Sequence, residues 1–196
     1  MDRYWHITWT MYGTRVAGHA RGFVSNVYAE DGGPEVRHNI PGTDCDADIP
    51  GLERYVREHM LADPYFLNAD QAAVLISQYQ DTSRIRGYEL CVASVMADHT
   101  HLVIGVPGDP DPDHLRELYK TWATRALKAR WPLPASGTFF TAKGSVRKKA
   151  DVDALGQAVI YVARQQDNPL ATFVGENWQA FVAEYDHQRQ KASGCP

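Results

Sequence analysis

From Tyr4 to Met11 the chain alternates without a break. Tyr4, His6, Thr8 and Thr10 fall on one side, and Trp5, Ile7, Trp9 and Met11 on the other. That period of two, in a stretch rich in aromatic and β-branched residues, predicts a strand well inside a sheet, with the tryptophans in the core. Residues 14 to 50 are rich in Gly, Asp and Pro and carry no period, so a loop-rich insertion is expected over about 14–64. Leu52 to Leu61 predicts a short helix within it. Asn68 then opens a clear helix, with Gln71 at the reciprocal capping-box position. Val74, Leu75, Gln78 and Ile85 continue it, and Arg86-Gly87 ends it.

"YELCVASVMAD" and "HTHLVIGV" follow as two apolar runs separated by a tight turn near Asp98, which predicts an antiparallel hairpin. Leu115, Leu118, Trp122, Ala126 and Leu127 mark an amphipathic helix to about Arg130. "TFFTA" predicts a short strand. Asp151 or Asp153 caps a helix to about Gln166, with Val152, Leu155, Val159 and Val162 as its buried stripe. Asn168-Pro169 stops it. Trp178, Phe181, Val182 and Tyr185 are spaced for a final helix. The order strand, helix, strand, strand, helix, strand, helix predicts an α+β fold, a small antiparallel sheet with helices packed on one face.

Composition adds bounds. The 196 residues suit one domain with extensions, and 44% hydrophobic residues suit a folded globular chain. No apolar run approaches a membrane span, and MDRYWHITWT lacks a signal-peptide pattern. The cysteines, Cys45, Cys91 and Cys195, are few, odd in number and widely spaced, so no disulfide framework or zinc knuckle is indicated. A reducing, cytoplasmic setting is the expectation.

Charge is segregated. From Leu115 to Lys149 there are nine Lys and Arg against one acid, Glu117, whereas Asn26 to Asp81 holds eleven acids and three Arg. A net charge of −4 therefore hides a basic region suited to a polyanion, or to simple solvation of helix faces.

His99 and His101 sit at the head of the second hairpin strand. Residues two apart on a strand project to the same side, so the two imidazoles point together and Thr100 points away. They could share one divalent ion, or stand as two solvent-facing histidines; a metal needs a third ligand from elsewhere. On the 151–166 helix, Tyr161 lies on the flank of the buried stripe, and Gln165, four residues on, is only about 40° away. One helix can thus aim a potential nucleophile and a neutral oxygen ligand at one place, while Gln166 falls back on the stripe.

An HxH strand followed some sixty residues later by YxxxQ on a helix resembles the HUH single-tyrosine transposases, in particular their REP-associated branch. "YWHITWTMYGT" resembles that family's first strand. "MADHTHLVI" resembles its paired-histidine signature, and "VIYVARQQDNP" its tyrosine helix. "LKARWP" and "GSVRKK" resemble the region between. The likeness covers roughly residues 3 to 14 and 65 to 170. Two positions depart from the pattern. Thr100 stands where a bulky apolar residue is usual, and Ala97-Asp98 replaces Pro-Asn. Thr100 keeps strand propensity but needs a partner for its hydroxyl.

The resemblance implies a ferredoxin-like HUH domain over 1–170 with a helical extension over 171–196, working as a monomer or homodimer. It implies Tyr161 as nucleophile and a divalent cation, Mg²⁺ or Mn²⁺, held by His99, His101 and Gln165. The reaction it implies is cleavage and joining of single-stranded or hairpin DNA through a 5′-phosphotyrosine. Lys143, Arg147, Lys148 and Lys149 are the expected DNA-binding residues. Two other readings stay open. One is a nucleic-acid-binding module that has lost catalysis. The other is a 2H-type phosphoesterase using His6 and Thr8, although a second HxT is absent.

Overall fold

The computed structural model describes residues 1–19 and 49–192, together with the backbone of 26–27 and 36–37. About half of the expected 14–64 insertion, with Cys45, lies outside the described residues, as does Cys195. In order the elements are β1 (Arg3–Thr10), β2 (Asn26–Val27), β3 (Val36–Arg37), α1 (Pro50–Glu58) and α2 (Ala69–Arg86). They continue with β4 (Glu89–Val95), β5 (His99–Val106), α3 (Pro112–Lys128), β6 (Ser145–Lys149), α4 (Val152–Arg164), β7 (Ala171–Val174) and α5 (Glu176–Ala192).

Five strands form one antiparallel sheet in the order β6-β1-β5-β4-β7, and β2 pairs with β3 separately. The series β1-α2-β4-β5-α3-β6 with spatial order β6-β1-β5-β4 is the ferredoxin-like split βαβ arrangement. It is the α+β antiparallel fold the hydrophobic pattern predicts.

The local signals act as expected. Asn68 accepts from the Gln71 backbone N–H at 2.9 Å, and the Gln71 side chain accepts from the Asn68 N–H at 3.0 Å, so the capping box closes. Gly87 ends α2 in the left-handed region with φ 64°, which a side chain would strain. Asp151, rather than Asp153, caps α4.

The two sides of β1 meet different surroundings. Trp5, Ile7, Trp9 and Met11 enter a core with Leu102, Ile104 and Val106 of β5, Ala72, Leu75 and Tyr79 of α2, and Leu115, Tyr119 and Leu127 of α3. Trp9 meets Tyr79 edge-on at 5.8 Å. Full burial of each such side chain stabilises by roughly 1.5–3 kcal/mol.

The opposite side of the sheet is covered only in part. Cys91, Val92 and Val103 pack against Leu155, Ala158, Val159 and Val162 of α4 and Val182 of α5. Helices therefore lie on both faces, and not on one as the element order suggested. The reason is visible in β4 and β5, which are buried at nearly every position. A strand apolar on both alternations must be covered on both sides. β1, which truly alternates, is left with its polar side free.

Four further details differ from expectation. The strand before α4 is Ser145–Lys149, whereas "TFFTA" makes only an isolated bridge between Met11 and Phe140 and sends Phe139 and Phe140 into the core. Val152 is 79% exposed, because the first residue of α4 precedes its contact with the sheet. Ile85 is also exposed, at the end of α2. The segment after residue 170 is more than a helix, since β7 pairs along β4 and protects that sheet edge.

Among the described residues, no helix is long and apolar enough to cross a membrane. Because Val182 is 2% exposed within the α4 core, Val182→Ala is expected to lower the unfolding free energy by about 2 kcal/mol in urea denaturation. A change below about 0.5 kcal/mol would mean that α5 is a dispensable extension.

Candidate functional site

The site grows out of the polar side of β1. β1 and β5 pair antiparallel with Thr8 opposite His101, Thr10 opposite His99 and His6 opposite Val103. Directly paired residues share a face. His6, Thr8, His99 and His101 therefore emerge together on the side away from the tryptophan core. On the other flank β6 pairs with β1, placing Ser145 opposite Thr8, Arg147 opposite His6 and Lys149 opposite Tyr4. Gly144 allows the close approach at that junction, since a Cβ there would collide with the Thr8 carbonyl oxygen.

His101 is the centre of the group. It is 6% exposed, and its Nδ1 lies 2.7 Å from Thr8 Oγ1 and 3.0 Å from His6 Nε2. Burial, reinforced by Lys149 and Arg147, lowers the His6 pKa to about 4. Burial, with His6 and His99 nearby, lowers that of His101 to about 2. Both imidazoles are thus neutral near neutral pH, the form that donates a ring lone pair.

His99 packs edge-on to His101, ring centres 5.0 Å apart. Its Nδ1 is held by the Asp98 carboxylate at 2.5 Å, and Arg15 lies 3.7 Å from the other Asp98 oxygen. The bond to His99 is the main reason the Asp98 pKa falls to about 2. A carboxylate on one ring nitrogen directs the other outward, as around metal-binding histidines. Asp98 thus orients His99 as well as shaping the turn. Thr100 points the other way, and its buried hydroxyl donates to the Ser94 carbonyl at 3.1 Å, which meets the need created by a polar residue there.

α4 brings Tyr161 over this group. Its ring is edge-on to His101 at 5.6 Å and to His6 at 6.0 Å. The side chain is 42% exposed. Tyr161, Ala154, Gln157 and Ala158 of α4 complete a cavity of about 490 Å³ with His6, Thr8, His101, Ser145, Arg147 and Lys149. Residues 154, 157, 158 and 161 follow the spacing of one helix face.

Gln165 is placed differently from the histidine pair. α4 ends at Arg164, Gln165 is the C-cap, and its amide donates to the Tyr185 hydroxyl of α5 at 3.4 Å. It does not line the cavity. Gln166 is past the helix and donates to the Tyr161 carbonyl at 3.0 Å, so it does not join the buried stripe. Among the described residues, no group of three or more His, Cys, Asp or Glu is placed to hold a metal ion. The donor chemistry suits a borderline divalent cation in two ligands, His99 and His101; the third donor named from sequence is turned toward α5.

The four expected DNA-binding residues divide. Arg147 and Lys149 line the cavity. Lys148, on the alternate side of the strand, lies 3.3 Å from Asp109 and over the Trp5 ring at 5.6 Å. Lys143 is exposed before β6 and does not line the cavity. His6 and Thr8, which the sequence offers for a phosphoesterase, join His101 and Tyr161 in the same cavity. The signal was present, since an HxT on the polar side of an alternating strand must emerge together on one face.

No family model matches the chain, and no curated protein matches it. Among solved structures, it is similar to a REP-associated tyrosine transposase bound to a REP hairpin. The TM-score is 0.43 and the identity 12%, over 83% of this chain and 66% of that one, just under two thirds of its length. It is also similar to a proposed transposase from Deinococcus radiodurans R1, with a TM-score of 0.43 and 15% identity, over 86% of this chain and 95% of that one.

The buried neutral histidines predict a pH profile. The unfolded chain protonates His6 near the ordinary histidine value of 6.5, the folded chain only near 4. Between those values the unfolded state binds more protons, so stability falls as pH is lowered. His101 extends the loss toward pH 2. Asp98, held near 2 against an ordinary carboxylate value of 3.8, loses its contribution only as pH falls from 3.8 through 2. In chelator, the unfolding free energy is expected to drop across pH 6.5 to 4, and His6→Gln to flatten that slope. An unchanged slope would show that His6 is already protonated in the folded protein.

Proposed function

We propose that this protein cleaves and joins DNA strands, with Tyr161 as nucleophile, on single-stranded or hairpin DNA. The observation that carries the reading is an exposed tyrosine whose hydroxyl has no hydrogen-bond partner among the described residues. It sits edge-on to two neutral histidines at the rim of a basic cavity. The HxH and YxxxQ motifs and their resemblance to single-tyrosine transposases support it.

In this reading His99 and His101 would hold a divalent cation, Mg²⁺ or Mn²⁺, with Gln165 as a third ligand if its side chain turned from Tyr185. Such a cation would supply charge that polarises the scissile phosphate. For His101 to offer its Nε2 lone pair, its Nδ1 must carry the proton and donate to Thr8 Oγ1 or His6 Nε2. Asp98 does the same work for His99 by accepting from its Nδ1. Tyr161 Oη bonds to phosphorus as the bond to the 3′ oxygen breaks. The phenolic proton passes to solvent, the departing oxygen takes one up, and a 5′-phosphotyrosine and a free 3′-hydroxyl result. Arg147 and Lys149, with Lys143 at the approach, provide the basic surface along which the strand lies, whereas Lys148 is held by Asp109 on the other side of β6.

A second reading has one observation in its favour. His6, Thr8 and His101 share the cavity, as a water-activating phosphoesterase would require. There the nucleophile is water and no adduct forms. The position of Gln165 likewise suits a module that binds nucleic acid without cutting it.

Incubation with labelled single-stranded hairpins and Mn²⁺ distinguishes these readings. The expected result is a covalent protein–DNA adduct that peptide mass mapping places on Tyr161. Tyr161→Phe should bind hairpin DNA within about twofold of the parent yet form no adduct and no cut. Cutting by that variant would make water the nucleophile. An adduct on Tyr119 or Tyr185 would move the nucleophile elsewhere. His99→Ala should also abolish the adduct while leaving hairpin binding in chelator unchanged. Adduct formation at the parent rate would place the cation elsewhere.

A further inference from the structure

The cavity beside Tyr161 carries positive charge that no described residue neutralises. Arg147 and Lys149 both line it, and neither has an ion-pair or hydrogen-bond partner among the described residues. Three cations nearby are matched. Lys148 has Asp109, Arg116 has Asp113 at 2.7 Å and Glu117 at 3.1 Å, and Lys120 has Glu117 at 3.5 Å. Among the described residues no carboxylate lines the cavity; Asp151 and Asp153, at the start of α4, stay outside it. Lys149 is half-buried beside Arg147, and its pKa is lowered by burial first and by Arg147 second. Two like charges converging on a concave wall are unfavourable alone and are relieved by an anion.

The arrangement is built by the fold. Strand alternation turns Ser145, Arg147 and Lys149 inward and Lys148 outward. Across the gap, Ala154 and Ala158 keep the α4 wall low, leaving a volume of about 490 Å³, within the range of small-ligand sites. His99 and Gln165 do not line it, whereas His101 and Tyr161 do, so the space adjoins the cation ligands named above and extends from them toward Arg147 and Lys149.

We infer that this cavity is a binding site for one phosphate group of a nucleic-acid strand, independent of any metal. Arg147 and Lys149 hold that phosphate, with His6 and Ser145 beside them. The inference rests on the nucleic-acid reading above but does not require the tyrosine to react. A strand crossing Tyr161 seats one phosphate in the cavity and presents a neighbouring linkage to the phenol.

The test uses the full chain carrying Tyr161→Phe, in EDTA, with a fluorescein-labelled DNA hairpin bearing a single-stranded flank. Affinity is measured across a salt series. Arg147→Gln and Lys149→Gln are each expected to weaken binding roughly tenfold or more, the loss of one charge-assisted hydrogen bond. Together they should lower the log–log salt slope by about 0.7, the value for one phosphate of a single strand. Lys148→Gln, on the other side of the same strand, should change neither. Ala154→Phe fills the cavity and removes no charge. It should weaken binding to the same degree and abolish competition by inorganic phosphate that the unfilled protein shows.

Equal affinity for 5′-hydroxyl and 5′-phosphorylated flanks identifies an internal phosphodiester as the occupant, and preference for the latter a terminal phosphate. Either result supports the site. It is overturned if no strand binds in EDTA, if Lys148→Gln weakens binding as much as Arg147→Gln, or if Ala154→Phe changes nothing. These outcomes are independent of the adduct. A site that passes while the parent forms no adduct leaves the phosphate pocket standing and removes the transferase. An adduct with binding insensitive to Arg147 and Lys149 does the reverse.

Discussion

The antiparallel pairing of β1 with β5 is the constraint on which the rest depends. Thr8 lies opposite His101 and Thr10 opposite His99. A slip of one residue in either strand would turn its histidines into the apolar core and its apolar residues outward. The tryptophan side prevents that slip, because Trp5, Ile7 and Trp9 are all buried against α2 and α3. The hydrophobic effect acting on one side of β1 therefore holds the polar side in register. The site inherits its precision from a core that it does not touch.

Its electrostatics follow from the same partial covering. α4 and α5 close over β4 and β5 but leave the polar side of β1 and β6 as a wall of the cavity. His101 is deep enough to be kept neutral, and His6 beside it is held neutral by burial and by two cations. Asp98, at the turn, binds His99 and meets Arg15, so the acidic charge is spent on orientation at one end of the site. At the other end Arg147 and Lys149 have no counter-charge among the described residues. The result is a graded surface, with a directed imidazole at the hairpin turn, a neutral pair in the middle and a positive wall at the β6 edge. Tyr161 stands over the middle.

Coverage on both faces of the sheet was legible in principle. In β4 and β5 the apolar residues occupy both alternations, which marks strands buried on two sides, whereas β1 alternates. The order of elements alone does not carry that information. The position of β6 was harder to read. "TFFTA" has stronger strand composition than "SVRKK", yet Phe139 and Phe140 are needed in the core, and the basic stretch takes the sheet edge, where its cations reach solvent.

By itself the sequence determined whatever follows from backbone geometry over a few residues. The capping box at Asn68 and Gln71, the common direction of His99 and His101, the opposite direction of Thr100, and the inward set Trp5, Ile7 and Trp9 are all of this kind. Each rests on a period of 2.0 or about 3.6 residues that holds wherever the strand or helix is placed. The tertiary structure alone decided which of these faces meet. His6 reaches His101 across 95 residues of chain. Tyr161 settles over both, Gln165 turns to Tyr185, and Arg147 and Lys149 separate from Lys148. None of these has a local signature, because strand neighbours and helix placement are chosen by burial summed over the whole core. A polar residue's partners are then set by where that core leaves it.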